Sequence, residues 1–230
     1  SHDLRTPLAS IVGAASSLVE GEDSLSPETR RELARAVYDE AQRMASLTSN
    51  ILDMARLEAG AVQLNREWQP LEEIVGASLN RLQARLAGRQ VHVRLPPDLP
   101  LIHVDGALLG QVLGNLLENA LKYTPAGSPI DIAARLDAGA STLEVEVADR
   151  GPGVPAEEAD RLFEKFYRAQ PDRERAQSGV GLGLTICRAI ISAHGGTIRA
   201  TNRPDGGAAF IFRLPLAGTP PVVEPEATAP

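Results

Sequence analysis

A single cysteine, Cys187, excludes an intramolecular disulfide. Its setting, Leu184-Thr185-Ile186-Cys187-Arg188-Ala189-Ile190-Ile191, predicts a buried thiol in an apolar helix, with no resolving partner nearby and a reducing, cytosolic environment. Aromatic residues make up only 3%, so any core must be built from Leu, Val, Ile and Ala. Basic residues are outnumbered, 23 Lys and Arg against 30 Asp and Glu, for a formal net charge of −7. That balance excludes broad nucleic-acid binding, which needs a basic face to neutralise phosphates. It leaves room for a local basic patch serving one nucleotide. No apolar run approaches the roughly 20 residues that cross a bilayer, so no membrane contact is expected of this chain. There is no signal peptide, no internal repeat and no initiator Met; the abrupt start at Ser1 reads as a fragment.

What is present suits burial. Hydrophobic residues reach 43% of the 230 positions and charged residues 23%, ordinary for one large or two modest globular domains. Leu4, Leu8, Ile11, Ala15 and Leu18 form one helical stripe over 4–20. Ser26-Pro27-Glu28 supplies an N-cap, a proline in the first turn and an acid beside it. The second helix is expected to run to about Gly60 with Leu33, Val37, Met44, Leu47, Ile51 and Met54 on its seam; Glu40 interrupts that seam and faces either solvent or a partner charge. Such a hairpin covers only half of its apolar stripe, so a dimeric four-helix bundle completes it.

From Asn65 the pattern changes to mixed α and β. Strands are expected at 64–68, 91–95, 101–104, 129–136 and 142–148, and helices at 71–87, 105–123 and 182–194. A final hairpin over 196–214 turns at Pro204-Asp205-Gly206-Gly207. Asp105 is the expected N-cap of the 105–123 helix. Residues 217–230, with four prolines and no apolar period, are expected to form a disordered tail.

Several short patterns carry chemistry. In Ser1-His2-Asp3-Leu4-Arg5-Thr6-Pro7-Leu8, His2 has an acid beside it and Thr6 one helical turn on, on the same face. Pro7 removes a backbone hydrogen bond and is expected to bend the helix past the histidine. In Asn115-Leu116-Leu117-Glu118-Asn119-Ala120-Leu121-Lys122-Tyr123, the polar residues Asn115, Asn119, Lys122 and Tyr123 share one stripe of an otherwise apolar helix. Amide oxygens there suit a hard cation such as Mg²⁺, which takes few protein ligands and fills the rest from phosphate and water. Asp149-Arg150-Gly151-Pro152-Gly153 ends a strand with a carboxylate that can accept from an adenine amine, beside glycines that let backbone approach. Leu162-Phe163-Glu164-Lys165-Phe166-Tyr167-Arg168 reads as an amphipathic segment whose aromatics anchor on a hydrophobic patch. Gly179-Val180-Gly181-Leu182-Gly183 runs into a helix, whose free N–H groups can cradle phosphate. Its spacing is not that of the dinucleotide fingerprint.

In order and spacing these segments resemble the H, N, G1, F and G2 boxes of the histidine kinases, over residues 1–216. The resemblance implies a helical dimerisation and phosphotransfer hairpin at 1–60 and an α/β two-layer sandwich of the Bergerat ATPase type at 65–216. It implies that His2 attacks the γ-phosphate of ATP, that Asp3 orients and deprotonates the ring, and that Thr6 supports hydrolysis of the partner's phosphoaspartate. Nucleotide would be held by Asn115, Asn119, Lys122, Tyr123, Asp149, Gly151, Gly153, Lys165, Arg168, Gly179, Gly181 and Gly183, with Asn119 on Mg²⁺. The implied partners are a second copy of the chain and the receiver domain of a response regulator. Trp68-Gln69-Pro70-Leu71-Glu72-Glu73, Ile102-His103-Val104-Asp105-Gly106 and Asn202-Arg203-Pro204-Asp205-Gly206-Gly207 further resemble the KdpD-type potassium-responsive sensors. That likeness implies the cytoplasmic portion of a protein of the bacterial inner membrane. Related ATPases of the gyrase, Hsp90 and MutL kind share the sandwich but leave the histidine-bearing hairpin unexplained. A degenerate kinase acting only as a docking module is the other alternative.

Overall fold

The computed structural model describes residues 2–21, 25–58, 64–137, 139, 141–167, 181–216 and 218. Two long helices come first, α1 (His2–Glu20) and α2 (Pro27–Glu58), packed against each other as a hairpin. Ser26 caps α2 as its sequence suggests, with its hydroxyl accepting from Thr29 N at 3.1 Å. Pro7 lies within α1. Leu8, Val12 and Val19 on α1, and Tyr38, Ile51 and Leu52 on α2, remain 41–76% exposed. A two-helix unit buries only one side of each stripe, and these side chains line what remains.

The rest of the chain is an α/β unit. Its elements are β1 (Glu67–Gln69), α3 (Leu71–Arg81), α4 (Gln83–Leu86), β2 (Val91–Arg94), β3 (Ile102–Val104), α5 (Gly106–Tyr123), β4 (Ile130–Asp137), β5 (Thr142–Ala148), α6 (Gly183–Ala193), β6 (Thr197–Asn202) and β7 (Ala208–Pro215). Among the described residues, five strands make one mixed sheet in the order β2-β4-β5-β7-β6, parallel only between β2 and β4. β1 and β3 form a separate antiparallel pair. The strand expected at 64–68 therefore sits later, at 67–69. The helix expected over 71–87 is interrupted at Leu82, where the backbone leaves helical geometry (ψ 7°) and its N–H bonds back to the last turn of α3.

Period-2 alternation decides the two faces of the sheet. Ile130, Ile132, Val145, Val147, Phe212 and Leu214 point to α3, α5 and α6 and are almost fully buried. Cys187 joins that core, and burial pushes its thiol pKa up to about 12, as its apolar surroundings predict. The opposite face carries two carboxylates ringed by arginines. Asp131 accepts from Arg150 at 2.7 Å and Arg203 at 3.1 Å and pairs by charge with Arg94 at 3.4 Å, with His92 at 3.3 Å. Glu144 is held between Arg135 at 2.5 Å and Arg213 at 2.7 Å.

Burial works against the charged form of both acids. Hydrogen bonds from Arg150 and His92 with the charges of Arg150 and Arg94 at Asp131, and hydrogen bonds and charge from Arg213 and Arg135 at Glu144, outweigh it and hold both pKa values below the usual carboxylate range. A depressed folded-state pKa contributes stability above the unfolded value and loses it as pH falls through the folded one. The melting temperature should therefore fall steeply below about pH 4. Asp131→Asn should already melt lower at neutral pH and show a shallower acid limb; parallel limbs for variant and parent would assign the acid sensitivity elsewhere.

Candidate nucleotide site

Asp105 starts the helix that carries the asparagines. Its Oδ1 accepts from Leu108 N at 3.1 Å, the expected N-cap, while Oδ2 accepts from Asn65 N at 3.1 Å. Asp105 N in turn donates to Nε2 of buried His194 at 3.0 Å, whose Nδ1 lies 2.8 Å from Ile190 O. Because Nε2 accepts from Asp105 N, Nδ1 carries the proton and donates to Ile190 O, and burial lowers the pKa of this ring. At its other end α5 is closed by Arg89, which donates to Leu121 O and Thr124 O at 3.2 Å each and to the Thr124 hydroxyl.

Between these ends, Asn115, Asn119 and Lys122 lie half-buried on one stripe, with Tyr123 40% exposed beside them. Lys122 Nζ sits 4.7 Å from the Tyr123 ring centroid. Asn115 donates to Gly183 O at 3.3 Å, tying α5 to the start of α6. Asn119, one turn on, makes no side-chain hydrogen bond among the described residues.

Asp149 follows β5 and is 5% exposed. Its Oδ1 accepts from Gly151 N at 2.7 Å and Ala208 N at 3.2 Å. Oδ2 accepts nothing among the described residues, so the carboxylate has one oxygen fixed and one available. Gly151 closes the gap to α5: a Cβ there would lie 2.8 Å from Tyr123 O. The turn that carries Asp149 therefore lies against the C-terminal end of the helix that carries the asparagines.

Gly181 (φ +73°) and Gly183 lead into α6, whose N-terminus no side chain caps. A Cβ on Gly181 would lie 2.9 Å from Tyr167 O, so the glycine lets the two segments touch. α6 also holds the 163–167 stretch: Thr185 donates to Glu164 O at 3.0 Å and Arg188 to Phe163 O at 2.8 Å. Phe163, 2% exposed, is the anchor expected of this segment. Phe166 is not: at φ +62° its side chain is thrown outward, 63% exposed. Tyr167 packs under Arg161, 4.4 Å from guanidinium to ring centroid. The amphipathic segment expected from Leu162 starts in the 3-10 turn Arg161–Phe163, passes through extended Glu164 and closes in a second turn, with Tyr167 N donating to Glu164 O at 3.3 Å. Lys165 is exposed. Arg168 and Gly179 lie outside the described residues, as do Ser1 and the expected tail apart from Gly218. α1 carries His2, Asp3 and Thr6, and Thr6 is exposed.

Sequence reasoning missed the arginine ring around Asp131, the Arg89 clamp and the contacts of Asn202 described below. None has a local signal, because each partner lies 19 or more residues away.

Two family models match. One, described as histidine kinase-, DNA gyrase B- and HSP90-like ATPase, covers residues 104–218; the other, the His Kinase A phospho-acceptor domain, covers residues 1–60. The chain belongs to the histidine kinases. The second match separates this histidine kinase from the gyrase-like and HSP90-like ATPases, which the first model also embraces. The chain is 44% identical to the sensor protein KdpD of Escherichia coli over 97% of its own length and 24% of that protein. It is 33% identical to the sensor-like histidine kinase SenX3 of Mycobacterium tuberculosis, over 94% of this chain and 52% of that one. A solved structure of full-length ShkA in complex with AMPPNP superposes with a TM-score of 0.71 at 29% identity, covering 95% of this chain and 45% of ShkA. The histidine kinase described here thus spans about a quarter to about half of these relatives. Among its described residues, no helix is long and apolar enough to cross a membrane.

Proposed function

We propose that the chain is the catalytic core of a two-component sensor kinase. It binds ATP, transfers the γ-phosphoryl group to His2 and passes it on to an aspartate of a response regulator. The observation that carries the nucleotide assignment is Asp149, a buried carboxylate with one oxygen fixed by two backbone amides and the other accepting no hydrogen bond among the described residues. An acceptor so placed suits the exocyclic amine of adenine and repels the carbonyl oxygen that guanine presents there.

Phosphates would lie over the uncapped N-terminus of α6, cradled by Gly179, Gly181 and Gly183. Lys122, Lys165 and Arg168 would add positive charge around them. Asn115, already bonded to Gly183 O, sets that helix end against α5. The donor set fits Mg²⁺: among the described residues no group of three or more His, Cys, Asp or Glu could hold a metal, whereas Asn119 offers one unused amide oxygen. When bound, the ion neutralises phosphate charge. Transfer then depends mainly on positioning. A ring nitrogen of His2 forms the new N–P bond as the bond to the β-phosphate oxygen breaks and ADP leaves, with Asp3 orienting the imidazole.

Residues 1–60 serve as the dimerisation and phosphotransfer hairpin, and 65–216 as the ATP-binding unit. The exposed Leu8, Val12, Val19, Tyr38, Ile51 and Leu52 support a homodimer, since a second hairpin would cover them as a four-helix bundle. Thr6 supports hydrolysis of the regulator's phosphoaspartate. The likeness to KdpD supports a potassium- or osmolarity-linked signal and a full-length protein seated in the inner membrane.

Calorimetry on two variants tests the site. Asp149→Asn turns an acceptor into a partial donor facing the adenine amine and should weaken ATP–Mg²⁺ binding by roughly tenfold or more. Asn119→Asp should make binding depend differently on Mg²⁺ concentration. Unchanged affinity in both would remove the site assignment.

A further inference from the structure

We propose that Asn202 is a positioning residue for adenine recognition, clamping the turn that carries Asp149; this rests on the reading of Asp149 given above. Asn202 ends β6, 48 residues from its partner. Its Oδ1 accepts from Val154 N at 2.7 Å and its Nδ2 donates to Val154 O at 2.7 Å. One side-chain amide thus satisfies both backbone groups of one residue, as a neighbouring strand would. Val154 needs such a partner, because it follows Gly151-Pro152-Gly153 in a stretch with neither helix nor strand.

The surrounding glycines are shaped to this contact. Gly153 has φ +81°, and a Cβ on it would sit 2.6 Å from Asn202 Oδ1. Gly207, at φ +96°, would place a Cβ 2.1 Å from Asp149 O. Glycine is required at both positions by close approach and by backbone conformation.

The same β6–β7 hairpin holds the turn at three further points, the first a backbone bond from Asp149 N to Ala208 O at 2.9 Å. Ala208 N donates to Asp149 Oδ1 at 3.2 Å. On the opposite face, Asp131 Oδ2 accepts from Arg150 at 2.7 Å and Arg203 at 3.1 Å, so one carboxylate ties the neighbour of Asp149 to the neighbour of Asn202. Of the four fastenings, only the Asn202 clamp acts on the far end of the turn, where the chain leaves the sheet toward 155–167. Removing it would leave Asp149 attached to the hairpin but free to tilt. A tilt harms a directional hydrogen bond to the base more than it harms charge-based contacts to phosphate.

The test compares Asn202→Ala, Asn202→Asp and Asp149→Asn with the parent chain, titrated with ATP–Mg²⁺ and with GTP–Mg²⁺ and followed by hydrogen exchange. Asn202→Ala is expected to weaken ATP binding about five- to twentyfold while changing GTP binding by no more than about twofold, so that base preference shrinks. Exchange over 150–158 should accelerate. Asn202→Asp keeps the acceptor for Val154 N but sets a carboxylate oxygen against Val154 O. It should show the same loss of preference, and it decides the matter if the alanine variant does not fold. ATP affinity within about twofold of the parent in a folded variant would overturn the proposal, as would equal weakening of ATP and GTP, the mark of general loosening. If Asp149→Asn leaves ATP affinity unchanged, the adenine reading falls and the clamp falls with it. Loss in Asp149→Asn without loss in the Asn202 variants removes only the clamp.

Discussion

Changing His2 to Gln should abolish phosphoryl transfer to the chain while leaving its affinity for ATP–Mg²⁺ unaltered. Gln keeps a polar side chain of similar reach but has no nitrogen with a free lone pair, because the amide nitrogen's is delocalised into the carbonyl. The nucleotide contacts inferred here come from α5, the turn after β5 and the start of α6, all more than 100 residues further along the chain. Binding and chemistry therefore separate cleanly in this variant. Activity should fall to background, a larger effect than any change at the nucleotide site, because His2 is the acceptor in the proposed function. Calorimetry alongside a transfer assay reads both quantities. Residual transfer in His2→Gln would mean that another side chain is the acceptor, and a parallel loss of ATP affinity would mean that the fold was disturbed.

The second large effect concerns the frame. Phe212 is fully buried in β7, between Val145 of β5 and Ile198 of β6, and its ring faces the helices that carry the site. Phe212→Ala removes most of a large side chain from a position hemmed in on both sides by strands, where collapse into the cavity is restricted. Urea denaturation should show a loss of about 3–5 kcal/mol. Its neighbour Arg213 points to the opposite face and contributes a partly exposed ion pair to Glu144. Arg213→Ala should cost much less, because Glu144 keeps Arg135. Similar losses in the two variants would contradict the assignment of faces.

How much of this was legible beforehand follows from the range of each interaction. The hairpin of α1 and α2, the N-cap at Asp105, the β4–β5 pair and the final turn at Pro204–Gly207 all depend on residues close in sequence, and each stands where periodicity and turn chemistry put it. The asparagine stripe and the carboxylate at the end of β5 were likewise local patterns. Strand order was not local. Nothing in Val91–Arg94 announces that it pairs in parallel with Ile130–Asp137, or that Glu67–Gln69 leaves the main sheet to pair with Ile102–Val104. Phe166 was misjudged because its hydrophobicity suggested burial, whereas a left-handed backbone turn faces it to solvent. Asn202 and Asp131 escaped for a related reason. A polar residue near a strand end reads as surface until the register shows what lies across from it.

The most direct test of the account is the intact mass of the chain after incubation with ATP and Mg²⁺, followed by peptide mapping and brief acid treatment. The account predicts a gain of one phosphoryl group, located on His2 and lost in acid, as a phosphoramidate bond requires, with no gain in Asp149→Asn at limiting ATP. No gain in the parent chain, or an acid-stable phosphate on a serine or threonine, would contradict it.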